Sequence, residues 1–201
     1  MIVYVETNFV LELAYLRNTS DNCQGLLDLA ADGKISLVVP AFALIEARLA
    51  WRSKVARRNR LHSDVRKELG ELSRSRPLTD IASQSQAFVA ALIDTAEQDR
   101  GRLESAVDDL LRQATVLPTE SAIVTQARAA EILWDLSPQD SVVCMTVLDH
   151  AGRNKGPKLF VTQNKNDFRV PQIEEELTRH GCKLLVAFDS AEAFVRKEIE
   201  R

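Results

Sequence analysis

Four short apolar runs are set into a chain whose remaining hydrophobic pattern is helical, and that alternation leaves few folds open. Ile2 to Val5 is β-branched and aromatic and stops at the polar triplet Glu6-Thr7-Asn8. Ile35 to Val39, Lys158 to Val161 and Lys183 to Val186 are the other three predicted strands. Helical spacing covers Phe9 to Leu16, with Thr7 or Asn8 as the predicted N-cap, and Gln24 to Ala31, ended by the Asp32-Gly33 turn. It resumes from Ala41 through Leu69 and from about Thr79 to Ala114, with breaks predicted near Pro77 and Gly101. Further helices are predicted over Thr119 to Trp134, from Ser137 to about Ala151, over Pro171 to His180 and over Glu192 to Arg201. Ser137-Pro138-Gln139-Asp140 is a strong helix start: a cap, Pro at the first helical position and an acid at the third.

Short buried strands separated by helices predict a parallel sheet covered on both faces, a three-layer α/β/α arrangement of about four to five strands. A chain of 201 residues is ample for one core, so residues 1–201 are read as a single domain with a helical insertion or arm at about 50–116. No apolar run approaches the roughly 20 residues of a membrane span, and no basic leader precedes Ile2, so a cytoplasmic protein is expected. Cys23, Cys144 and Cys182 form no C-x-x-C pair, and the three histidines are equally scattered, which argues against a Cys/His metal site.

The formal net charge of −3 conceals an asymmetry. From Arg48 to Arg76 ten Lys/Arg face only Asp64, Glu68 and Glu71, a local +7 that leaves −10 for the remainder. Such a run is an ordinary solvated helix face unless it gathers on one side. Arg48, Arg52 and Arg60 fall near one helical stripe, and Arg57 and Arg58 lie between them. These five residues are the candidate contacts for RNA phosphates, with an acidic partner protein as the other occupant of the arm.

Ligands of such folds sit beyond the C-terminal ends of the strands, and four acids occupy positions that reach that rim. Glu6 follows the first strand, Glu46 lies early in the helix after the second, Asp140 opens a helix, and Asp167 follows the third strand by a short loop. Each has an ordinary explanation alone: Glu6 as a solvated loop acid, Glu46 in an ion pair, Asp140 as a helix-capping acid, Asp167 capping a turn. Gathered together they are costly, because two carboxylates about 4 Å apart repel by roughly 4 kcal/mol at an effective dielectric of 20. Bound protons or a divalent cation must relieve that repulsion, and all-oxygen ligands select a hard ion, Mg2+ or Mn2+. Such an ion suits phosphodiester hydrolysis.

The segment Val3-Tyr4-Val5-Glu6-Thr7-Asn8-Phe9-Val10 resembles the opening strand and acid-Thr-Asn turn of PIN-domain nucleases. Ala43-Leu44-Ile45-Glu46 fits their second-acid helix, and Leu136-Ser137-Pro138-Gln139-Asp140 resembles their third-acid motif. Phe160-Val161-Thr162-Gln163-Asn164-Lys165-Asn166-Asp167-Phe168 resembles their closing Thr-x-Asn-x-x-Asp-Phe motif. The resemblance covers roughly residues 1–50 and 117–187. It implies an Mg2+- or Mn2+-dependent endoribonuclease in which Glu6, Glu46, Asp140 and Asp167 hold metal and Thr7, Asn8, Thr162 and Asn164 orient water, metal or phosphate. Homodimerisation is implied as well, and so is an antitoxin protein as partner where the chain serves as the toxin of a toxin–antitoxin pair.

Two departures stand out. The family usually carries Asp where this chain has Glu6, and one methylene displaces the carboxylate by about a bond length, enough to weaken a site that needs close placement. The long helical middle is absent from compact PIN toxins. The alternative function is therefore a non-catalytic PIN-like RNA- or protein-binding module, and a small-molecule hydrolase on an α/β fold is the third class.

Overall fold

The computed structural model describes residues 1–201, the side chain of Asn166 excepted. Its strands are β1 Ile2–Tyr4, β2 Ser36–Pro40, β3 Thr115–Leu117, β4 Lys158–Val161 and β5 Cys182–Leu185. Its helices are α1 Thr7–Tyr15, α2 Ser20–Ala31, α3 Ala41–Leu72, α4 Thr79–Gln113, α5 Ser121–Trp134, α6 Pro138–Arg153, α7 Lys165–Phe168, α8 Pro171–Arg179 and α9 Phe188–Ile199. All strand pairs are parallel, in the order β3-β2-β1-β4-β5. Among the described residues no helix is long and apolar enough to cross a membrane.

Period-two alternation divides the strands between two cores. Val3, Val5, Leu37, Val39, Leu159 and Val161 pack against α1, α2, α9 and the near ends of α3 and α4. Tyr4, Val38, Leu117 and Phe160 face the opposite way, onto α6 and α8. The result is the expected α/β/α sandwich around a parallel sheet. The chain walks outward from β1 through β2 to β3, then returns to the other side of β1 for β4. Direction therefore reverses between β1 and β4, the position where open α/β sheets place their ligand crevice.

Several local expectations are corrected. β3 is a fifth strand in a place read only as the gap between two helices; it follows α4 after the single residue Ala114, so its short apolar run merges with the helical pattern before it. No break occurs at Gly101, because α4 runs unbroken from Thr79 to Gln113. A mid-helix glycine costs only about 1 kcal/mol, which packing along α4 outweighs. The break at Pro77 is real, a single 3-10 turn over Arg76–Leu78. The segment carrying Asp167 is the one-turn helix α7 instead of a loop. Neither Thr7 nor Asn8 caps α1; Glu6 does.

The helical middle is a long hairpin fastened near the sheet. Asp99 on α4 is buried and accepts from Lys54 at 3.2 Å, Arg58 at 2.9 Å and Arg102 at 2.7 Å. Arg102 also donates to the Ala14 carbonyl at 2.9 Å, and Trp51 to the Ala96 carbonyl at 3.3 Å. Inward of Asp99, α4 enters the first core through Leu103, Ala106, Val107 and Leu110.

Candidate active site

Glu6 is held at the switch point by backbone geometry. As the N-cap of α1 it is extended (φ −130°, ψ −168°), which turns its carboxylate back onto the helix. There Oε2 accepts from the Asn8 amide at 2.8 Å, while Oε1 accepts from the Thr162 hydroxyl at 3.0 Å. Thr162 directly follows β4 and is wholly buried, and its oxygen also accepts from the Asn164 amide at 2.9 Å. Burial pushes the Glu6 carboxyl up to about 7; the Asn8 and Thr162 hydrogen bonds hold it down, and Glu46 pushes it further up.

Glu46 stands on the second turn of α3, where Thr7 donates its hydroxyl to Oε2 at 2.5 Å. Burial raises its carboxyl, Thr7 lowers it and Asp140 repels it. Asp140 lies in the first turn of α6 because Ser137 caps that helix, accepting from the Asp140 amide at 3.1 Å as the Ser-Pro-x-Asp pattern foretells. The Ser137 hydroxyl returns a bond to Oδ2, and Asn164 donates its side-chain amide to Oδ1 at 3.1 Å. Burial raises the Asp140 carboxyl, and Asp167 on α7 repels it.

Repulsion thus passes along a line, from Glu6 to Glu46, from Glu46 to Asp140 and from Asp140 to Asp167. The four acids and the side chains of Thr7, Thr162 and Asn164 share one rim; Asn8 contributes its backbone amide. Among the described residues, however, no three His, Cys, Asp or Glu side chains converge closely enough to hold a metal ion between them. Both oxygens of Glu6 and both of Asp140 already accept from protein donors. In kind the donor set fits a hard divalent cation: all oxygen, anionic, and mutually repelled, so that an ion would relieve what burial and crowding now oppose.

The basic run divides in the structure. Arg52, Arg57 and Arg60 face solvent, while Arg48, also exposed, pairs with Glu104 at 3.0 Å. Arg58 turns inward to Asp99 and Thr95.

A brace behind the site escapes the sequence pattern. Buried Glu12 accepts from the Thr19 amide at 3.1 Å and hydroxyl at 2.6 Å, and Gln163 donates to that hydroxyl oxygen at 2.8 Å. Gln163 lies between Thr162, which holds Glu6, and Asn164, which holds Asp140. The available signal was Glu12 itself, an acid inside the apolar stretch Val10-Leu11-Glu12-Leu13-Ala14.

The family model for the PIN domain matches residues 3–168. Among solved structures the chain is similar to the crystal structure of VapBC2 from Rickettsia felis bound to a DNA fragment from their promoter. That likeness has a TM-score of 0.45 and 14% identity, and covers 92% of this chain and 98% of the other. No curated protein matches the sequence.

Proposed function

We propose that this chain, which belongs to the PIN-domain family, is a metal-dependent endoribonuclease acting at the acid rim. One observation carries the reading: a line of carboxylates, successively repelling and with Glu6, Glu46 and Asp140 raised, is gathered at the switch point of a parallel sheet. Stability alone gives no reason to collect like charges there, since each adjacent pair opposes folding.

Glu6, Glu46, Asp140 and Asp167 would hold Mg2+ or Mn2+, which when bound would polarise a phosphoryl oxygen and acidify a water. The chain's own residues orient the acids. Thr7 aims Glu46, Ser137 and Asn164 fix both oxygens of Asp140, and Thr162 with the Asn8 amide fixes Glu6. One carboxylate of the rim would take up the proton of that water. RNA as substrate and a cytoplasmic setting belong to the same reading.

A second reading rests on Glu6. Its oxygens are both occupied by protein donors and the acids do not converge, as expected of a binding module whose metal site the longer side chain has weakened. Cleavage of a mixed RNA pool in Mg2+ or Mn2+ tests both, comparing wild type with Asp140→Asn, Asp167→Asn and Glu6→Asp. Metal-dependent cutting lost in both Asn variants supports the nuclease. A well-folded, inert wild type that gains cutting on Glu6→Asp supports the binding module.

A further inference from the structure

Beyond the rim, α1 and α3 run side by side and leave a groove between them. Thr7 meets Glu46 at its inner end, and Tyr15 meets Lys54 farther out. Lys54 is eight residues beyond Glu46 on the same helix, about 12 Å along its axis. At that point the groove opens into a cleft of about 310 Å³ lined by Tyr15, Arg17, Ser53, Lys54 and Arg57 over Leu11 and Ala50. That size lies at the lower end of the roughly 300–1,000 Å³ of small-ligand clefts.

The charge in and behind this cleft does not balance. Arg17, Lys54 and Arg57 line it, with Arg58 and Arg102 behind, yet the acids paired with this group are Glu12 and Asp99. Asp99 is shared among three cations, and Glu12 stands 3.6 Å from Arg17 while also holding Thr19. Two cations are stacked on one ring: the Lys54 ammonium 3.2 Å and the Arg17 guanidinium 5.0 Å from the Tyr15 centroid. Burial lowers the Lys54 pKa, and Arg58 and Arg17 lower it further against the pull of Asp99. The Tyr15 hydroxyl is buried and has no hydrogen-bond partner among the described residues. A surplus of cations lining an open cleft calls for an anion, and guanidinium with ammonium donors suits phosphate in particular.

We infer that this cleft is a phosphate seat, in which Arg17, Lys54 and Arg57 take a backbone phosphodiester of single-stranded RNA a few nucleotides from the acids. The inference rests on the proposed function for its substrate. It moves the weight of recognition from the outer face of α3 to the groove, and gives Arg17, which lies outside the basic run, a binding role.

Binding of a fluorescent single-stranded RNA, followed by anisotropy across a salt series in chelator, tests the seat without any need for cleavage. Wild type is compared with Arg57→Gln, Arg17→Gln and the double variant, circular dichroism verifying that each is folded. The slope of log K against log salt should shrink by about 0.7 for each phosphate contact removed. An unchanged slope in the folded double variant overturns the seat, and so does a wild type that does not bind RNA. So does a slope that falls in Arg60→Gln instead, since the contacts then lie on the outer face of α3. Because the readout is binding without metal, a protein that cuts no RNA yet loses slope keeps the seat and sinks only the nuclease. A protein that cuts RNA with unchanged slope does the reverse.

Discussion

Thr162, the buried residue that directly follows β4, donates its hydroxyl to Glu6 at 3.0 Å, although 156 positions separate the two in sequence. This bond crosses the place where the sheet reverses direction and holds a carboxylate that burial would otherwise discharge. Thr162→Val should destabilise the protein by about 1.5–3 kcal/mol, the range for hydrogen bonds to charged groups. Urea unfolding should show the larger loss at pH 8, where Glu6 is ionised, than at pH 5; an equal loss at both would mean that the charge is irrelevant.

The ion-free protein should be more stable in mild acid than in mild base. Glu6 has an ordinary value of 4.5 and about 7 in the fold, so the folded chain holds the proton more tightly. Its contribution is complete below about 4.5 and is lost as pH rises through about 7. Fully expressed, that is on the order of 3 kcal/mol. Glu46 and Asp140, raised by burial, act in the same direction. Chelator-treated protein should therefore unfold at lower urea at pH 8 than at pH 5, and Glu6→Gln should flatten the difference. Added Mg2+ or Mn2+ should restore stability at pH 8 if the acids hold an ion.

Ser137→Ala should reveal the cap and the site together. Loss of the bond to the Asp140 amide predicts about 1 kcal/mol of destabilisation. Asp140 then keeps only the Asn164 contact among its side-chain partners, so metal-dependent cleavage should fall by more than the small stability loss explains. Ser137→Thr, which preserves the acceptor, should recover most of both.

Asp99→Asn should be the most damaging single change in the hairpin. It leaves Lys54, Arg58 and Arg102 charged and partly buried around a neutral amide, and broken buried pairs cost about 3–5 kcal/mol. Arg58→Gln, which leaves Asp99 two cations, should cost clearly less. Equal losses measured by denaturant titration would mean that the three pairs are not sharing one anion.

The parts of this fold carried by local pattern were legible in the sequence. Short continuous apolar runs in Ile2 to Val5 and Lys158 to Val161 exposed two central strands, and Ser137-Pro138-Gln139-Asp140 exposed a helix start that the Ser137 bond reproduces. What hid was short or long-range. β3 begins one residue after Ala114 closes α4, and its run Thr115-Val116-Leu117 is lost in the helical pattern that precedes it. The capping role of Glu6 hid because Glu is a less usual cap than Asn, Asp, Ser or Thr, and the Thr162 hydroxyl that helps hold its carboxylate lies 156 positions away. The inward turn of Arg58 depends on Asp99, 41 positions away, and composition cannot pair the two. At the rim the sequence could nominate acids at strand ends; their spacing and the donors already on them are properties of packing alone.

The fastening at Asp99 has a consequence for how the molecule breathes. Inward of it, α4 shares the main core; outward, α3 has no buried residue beyond Ala47, and α4 buries little more than Ala82, Val89 and Ala96 against it. Segments with so few apolar contacts open on their own, well below the free energy of global unfolding. Amide hydrogens near the Arg76–Leu78 turn should thus exchange long before those around Leu103 to Leu110. Fraying that starts at the tip would have to release three cations at once before it reached the turn of helix that carries Glu46.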